Sequence, residues 1–209
     1  MHPAQTTRRY PLPRSRIRNK MRAATSSPQI ADLLRELEAC TERAQAVVFG
    51  LTPEEIVRRP GPKSWSIAEI LEHLSATTRA YLPPLDRAAG ELRDKGRTGS
   101  GPYAFDWIGR FMIWSLEPPP RFKMRAPGVF VPLGVAQPEA ALTTFAEMQG
   151  ELVRRVLSLD GLALDSAKVV SPTAKVLRFN VWSALKMLSA HERRHLAQAE
   201  AVKRELRAN

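Results

Sequence analysis

His191 and His195 stand four residues apart, around Glu192-Arg193-Arg194. On a helix two residues at that spacing sit one turn apart on the same face, so both imidazoles can reach a single metal ion. The chain has four histidines. His73 falls in another predicted helix and His2 in an N-terminal tail. Three neutral imidazoles with a water in the fourth position make an open, catalytic-type zinc arrangement. Nickel, iron and cobalt fit the same donors, because imidazole alone does not choose among them. The spacing makes His191 and His195 a candidate metal pair, and antiparallel packing of the two helices could bring His73 to them to complete a divalent-metal site. Against it stands the plainer fact that a single histidine at the edge of an apolar face is more often a packed core residue, and that H-x-x-x-H recurs by chance.

His191-Glu192-Arg193-Arg194-His195 also matches H-E-x-x-H, the zinc-protease pattern in which the Glu is the general base. The rest of that machinery is missing. His195 is followed by Leu-Ala-Gln-Ala-Glu-Ala, without the third His of the metzincins. Only 14 residues follow His195, and Glu200 and Glu205 are too near on the same helix to fold back onto the metal. No sheet edge is expected that could pair with an extended peptide. A zinc protease is thus not the expected reading. Glu192 keeps two readings: an exposed or salt-bridged residue, or a group approaching the metal-bound water.

The elements that must carry these residues are helical. Ser27-Pro28 reads as a helix start with a capping hydroxyl, and Ile30, Leu33, Leu34, Leu37, Ala44, Val47 and Val48 recur at helical spacing until Gly50. Thr52 to Glu55 is a capping box for a short turn, broken at Arg59-Pro60-Gly61-Pro62. A second box, Ser66 with Glu69, starts a helix at Ile67 whose apolar face is Ile70, Leu71, Leu74, Thr78 and Tyr81. His73 lies at the edge of that face. Pro83-Pro84 is expected to kink or interrupt the helix. A weaker helical pattern spans Phe105 to Leu116. The stretch from Glu117 to Pro138 is proline-punctuated, with apolar Phe122, Val129, Phe130 and Val131, as expected of a segment packed across a site.

Leu142, Phe145, Met148, Leu152 and Val156 define a third main helix. A short extended piece is expected at Lys168–Val170, and Asn180 can cap a last helix running to about Arg207. On that helix His191 and His195 fall inside the apolar arc of Leu185, Leu188, Ala199 and Val202. Arg193 and Arg194 point away from the pair, as surface charges. Four long amphipathic helices, no convincing strand and no repeat predict an all-α four-helix bundle over residues 27–207, with a short extra helix and a long proline-rich connector.

Composition narrows the function classes. The 209 residues carry a net charge of +11, but Arg8, Arg9, Arg14, Arg16, Arg18 and Lys20 stand in a tail without any acid. The tail, residues 1–26, is too poor in apolar residues to fold alone. Residues 8–22 could serve as an anion-binding arm for nucleic acid. The plainer expectation is a mis-called start, with Met21 as the alternative. No helix interleaves basic and aromatic residues as a base reader would, so nucleic-acid binding ranks last. No apolar run approaches the ~20 residues of a membrane span, and the N-terminal stretch lacks the apolar region of a secretory signal. One cysteine, Cys40, cannot form an internal disulfide, and it reads as a small buried hydrophobe in a reducing cytoplasm.

Trp65-Ser66-Ile67-Ala68-Glu69-Ile70-Leu71-Glu72-His73-Leu74, together with His191-Glu192-Arg193-Arg194-His195-Leu196-Ala197-Gln198, resembles the DinB-like superfamily. The resemblance covers residues about 27 to 207, and Arg121 to Pro127 is similar to that family's connector. Many members have Arg-Gly where this chain has Leu196-Ala197, so the wall of the pocket is not carried over. The resemblance implies a four-helix bundle with His73, His191 and His195 as ligands of a divalent metal, zinc or nickel. It implies that Gln198 orients a ligand or the bound water, and that Trp65 packs at the helix entry. Some relatives are S-transferases or isomerases using low-molecular-weight thiols, and others are described as metal-dependent hydrolases. The expectation is a metal-dependent enzyme, foremost an S-transferase acting on small-molecule electrophiles, with a hydrolase next. A non-catalytic metal-binding bundle is the reading from a different class. Oligomeric state is left open by the sequence, although bundles of this size commonly dimerise through an exposed helix face, so a homodimer is compatible with it.

Overall fold

The computed structural model describes residues 25–117, 130–131 and 137–208. The basic tail with Met21, and the connector segment Arg121 to Pro127, lie outside them. Six helices and one short ladder are found among the described residues: α1 (Pro28–Val48), α2 (Pro53–Val57), α3 (Ile67–Asp94), α4 (Trp107–Leu116), α5 (Pro138–Ser158), β1 (Lys168–Val170), β2 (Arg178–Asn180) and α6 (Val181–Ala208). No described helix is long and apolar enough to cross a membrane.

The long helices α1, α3, α5 and α6 close a four-membered ring. α3 packs on α5 and α6, and α1 on the same two, while the diagonal pairs barely meet. Tyr81 stacks on Phe179 and His73 meets His191, so ascending α3 means descending α6, and the two run antiparallel. Two apolar clusters fill the bundle. One holds Ile30, Leu37, Leu85, Leu152, Val156 and Leu188, and the other Cys40, Val47, Ile70, Leu74, Phe145 and Leu196. Between them, at mid-bundle, the buried residues turn polar: His73 and Thr77 on α3, Gln149 on α5 and Glu192 on α6. His73 meets His191 at this seam.

Several local features follow the sequence. Both capping boxes form, at Thr52 with Glu55 and at Ser66 with Glu69. Asn180 caps α6 by accepting a 2.8 Å hydrogen bond from the Ser183 amide. The extended piece Lys168–Val170 is present, and its antiparallel partner Arg178–Asn180, with Val169 opposite Phe179, was not foreseen. Two expectations are corrected. Ser27 occupies the N-cap of α1, but its hydroxyl makes no capping bond. Of the kink or interruption expected at Pro83-Pro84, the interruption does not occur: α3 runs on to Asp94 with both prolines inside. The prolines remove two amide donors, yet Leu82, Pro84, Leu85, Ala88 and Leu92 are all buried there, and that packing holds the helix together.

α4, a short helix, decides how α6 is seated. Its N-cap, Asp106, accepts from the Gly109 amide at 2.8 Å, from the Asn180 amide at 2.6 Å and from Lys168 Nζ at 2.7 Å. Gly109 lets α4 lie directly on α6, because a Cβ there would overlap the Cβ and Oγ of Ser183. Gly109→Ala is accordingly expected to cost about 1–3 kcal/mol, read as a lowered urea midpoint. An unchanged midpoint would mean that the two helices can separate at no cost.

Candidate metal centre

The Ser66 capping box sets the start of α3 and hence the azimuth of His73, two turns further on. Ser66 Oγ accepts from the Glu69 amide at 3.2 Å, and Glu69 Oε2 accepts from the Ser66 amide at 2.9 Å. Arg59 Nε donates to the same carboxylate at 2.8 Å, which holds Glu69 below the usual carboxylate range despite its burial. The opposing face comes from the middle of α6, whose start is held by Asp106 and Asn180.

These two helices bring the three predicted histidines together. His73, His191 and His195 each offer one ring nitrogen, and these atoms all lie within 4.8 Å of one another. His73 Nε2 and His191 Nε2 are 3.2 Å apart. Two nitrogens bound ~2.0–2.1 Å from one tetrahedral zinc stand about 3.3 Å apart, so the pair already has the spacing of two ligands. His73 Nδ1 lies 2.8 Å from the Phe130 carbonyl oxygen. A carbonyl only accepts, so Nδ1 carries the proton and Nε2 keeps a lone pair directed at the other rings. His195 Nδ1 lies 3.0 Å from Gln198 Oε1, which fixes the ring through a second neighbour. Gln198 is thus hydrogen-bonded to a histidine of the trio.

Protonation favours binding as well. Burial, followed by the charges of the neighbouring histidines, pushes His191 well below its ordinary value. Burial takes His195 down to about 3, and His73 is lowered too. Neutral imidazole is the ligating form. Donor type, spacing, tautomer and charge therefore all fit a divalent transition metal. Trp65 does more than pack at the helix entry, since its ring lies 4.9 Å from that of His73 and 6.2 Å from that of His195. A cleft of about 410 Å³ opens beside His73 between α3 and α5, lined among others by Glu72, Ala76, Arg79, Phe130 and Thr144.

Glu192 is not the exposed or salt-bridged residue that was one of its two readings. It is 2% exposed. Its Oε2 accepts from Gln149 Nε2 at 2.7 Å across the diagonal of the bundle, and the Cys40 thiol lies beside it. Burial raises its carboxyl to about 7. A folded-state value above the unfolded one of about 4.5 means that stability is lost as pH rises from 4.5 through 7 and is level above that. Glu192→Gln keeps the shape without the charge, so at pH 8 it should raise the stability of the metal-free protein by about 1–3 kcal/mol, with no gain below pH 4.5. Denaturant midpoints at the two pH values check this, and equal midpoints for both proteins at pH 8 would refute it. Cys40 itself is buried as expected, and burial pushes its thiol well up.

The two arginines between the histidines are also reassigned. Arg193 donates to Glu36 Oε2 at 2.9 Å and to Ser189 Oγ at 2.7 Å, and it pairs with Glu117. Arg194 Nη1 donates to the Ser115 carbonyl at 3.1 Å. They point away from the histidine pair, as the helix projection implies, but that side is covered by α1 and α4 and is not open surface. The Phe130 carbonyl had no signature in the sequence, because any residue supplies one; the only hint was an apolar connector expected to lie across the site.

A family model described as the DinB superfamily matches residues 36–199, a span that contains all three histidines. No curated protein and no solved structure matches the chain.

Proposed function

The chain belongs to the DinB superfamily, and from that premise we propose that it is a metal-dependent enzyme acting on a small molecule, foremost an S-transferase that uses a low-molecular-weight thiol. The observation that carries this is the trio itself: three neutral imidazoles from two helices, two of them at ligand spacing and two fixed by acceptors at Nδ1. Three protein ligands leave a coordination position for something else, as catalytic sites do and closed structural sites do not. His73, His191 and His195 would hold a zinc or nickel ion there, which would lower the pKa of a bound thiol or water and so supply a nucleophile at neutral pH. Water in place of thiol is the hydrolase alternative at the same residues.

The protein's own residues supply the rest. Phe130 and Gln198 hold two rings in the ligating tautomer, and Trp65 shields them from bulk water. Glu192, bonded to Gln149, positions the turn of α6 that bears both histidines. The cleft beside His73 gives a small electrophile access.

The experiment is to strip the protein with a chelator, reload it with zinc or nickel, and assay thiol conjugation to a small electrophile beside ester hydrolysis. Metal-dependent thiol consumption is expected. Hydrolysis alone would select the alternative, and neither activity in fully loaded protein would leave a non-catalytic metal-binding bundle.

A further inference from the structure

The cleft between α3 and α5 carries polar groups that the fold itself does not use. Glu72 and Arg79 line it from α3, and Thr144 lines it from α5. Among the described residues, the side chains of all three lack a hydrogen bond or ion pair. Where helices meet elsewhere, charges are paired: Arg43 with Glu200, Arg155 with Asp86 and Arg193 with Glu36. The positions three and four residues from Glu72 are Ala68, Glu69, Ser75 and Ala76, and those from Arg79 are Ser75, Ala76, Leu82 and Pro83. Neither charge therefore has an opposite one at pairing distance along the helix. Nor do they pair with each other: seven residues of helix set them about 10.5 Å apart on one face. Small side chains, Ala76 and Ala140, line the same space, and His73 lines it too, next to Glu72 in the chain. Glu72 itself is not in the cluster of ligating atoms.

A carboxylate accepts from an ammonium, and a guanidinium fork matches a carboxylate through two parallel hydrogen bonds. We infer that the cleft binds a linear zwitterion, with its ammonium at Glu72 and its carboxylate at Arg79. A separation of about 10 Å is the length of an extended tripeptide, at about 3.3–3.6 Å per residue. A neutral or singly charged molecule would leave one of the two protein charges unmatched. Glu72 is half-buried and Arg79 exposed, so the ammonium end carries the larger share of the selectivity. That this ligand is the small molecule on which the metal centre acts rests on the function proposed above; its binding does not.

Zinc-loaded protein would be titrated with triglycine, with N-acetyltriglycine, which lacks the ammonium, and with triglycine amide, which lacks the carboxylate. Amide chemical shifts of the isotope-labelled protein report binding. Wild type should bind triglycine about tenfold more tightly than the acetylated form and about threefold more tightly than the amide. Glu72→Gln should erase the first ratio and keep the second, and Arg79→Gln should do the reverse. That crossed pattern separates recognition of the two charges from a general loss of fold. Should Glu72→Gln, beside His73, load less zinc, the same ratios are read on chelator-stripped wild type and variant, because α3 and α5 form the cleft. Equal binding of the three peptides by wild type, no binding of triglycine, or variants that weaken all three alike overturns the inference. Thiol consumption, assayed apart, decides the thiol-transfer reading. Crossed ratios without it leave the cleft assigned and that reading lost, and thiol consumption without the ratios does the opposite.

Discussion

Replacing His73 by alanine is expected to reduce bound metal from about one equivalent to less than a tenth. His73 is the one member of the trio that α6 does not carry, so the variant leaves only the His191–His195 pair. Losing even a residue that merely orients a ligand costs ~10–100-fold in metal affinity, and losing the ligand should cost at least the upper end of that range. His73 is also the ring whose tautomer is set by the Phe130 carbonyl, so the same change frees the connector at that point. Metal analysis of untagged protein, wild type beside His73→Ala, checks this. The thermal midpoint of both metal-free proteins separates loss of the site from loss of the fold. Gln198→Ala, which removes the acceptor at His195 Nδ1, should give an intermediate loss. Equal metal in wild type and His73→Ala would take His73 out of the site.

Acid should release the metal and weaken the bundle over the same range. Above about pH 6.5 the trio is neutral in both folded and unfolded chains, and it adds no pH dependence. Below that, the unfolded chain protonates His195 while the folded one resists down to about pH 3. The unfolded state then binds more protons, so stability falls as pH falls. By pH 4.5 His195 alone costs about 3 kcal/mol, and His191, shifted in the same direction, adds to it. Glu192 runs the opposite way between pH 4.5 and 7, but its contribution is common to variants that keep it. The measurement is the urea midpoint of metal-free wild type and His195→Gln at pH 7 and pH 4.5, where wild type should lose more. Equal losses would show that His195 titrates as an ordinary exposed imidazole. Metal loading should fall more steeply over the same interval, because protons compete for the same lone pairs.

The sequence was most legible where a local rule acts alone. Capping boxes at Thr52 and Ser66, the Asn180 cap and the apolar periods of α1, α3, α5 and α6 need only neighbouring residues, and they appear as read. Local rules misled where packing overrode them. Pro83-Pro84 should break an isolated helix, yet burial on both sides keeps α3 whole. Glu192 has the polarity of a surface residue, but its partners come from α5 and α1, more than 40 residues away in the chain. Arg193 and Arg194 were placed on the correct side of α6; the sequence could not say that α1 and α4 occupy that side.

By itself the sequence determined that there would be four long amphipathic helices, that His191 and His195 would share one face of the last, and which third histidine could join them. Those are consequences of a 3.6-residue period and of the scarcity of histidine. Tertiary structure alone decided that His73 Nε2 meets His191 Nε2 at 3.2 Å and that the Phe130 carbonyl sets its tautomer. It also decided that burial, complete for His73 and partial for His191 and His195, favours the neutral rings and that Glu192 turns into the core. Each depends on the rotation and depth of one helix against another, which packing of residues distant in the chain determines and no local pattern encodes.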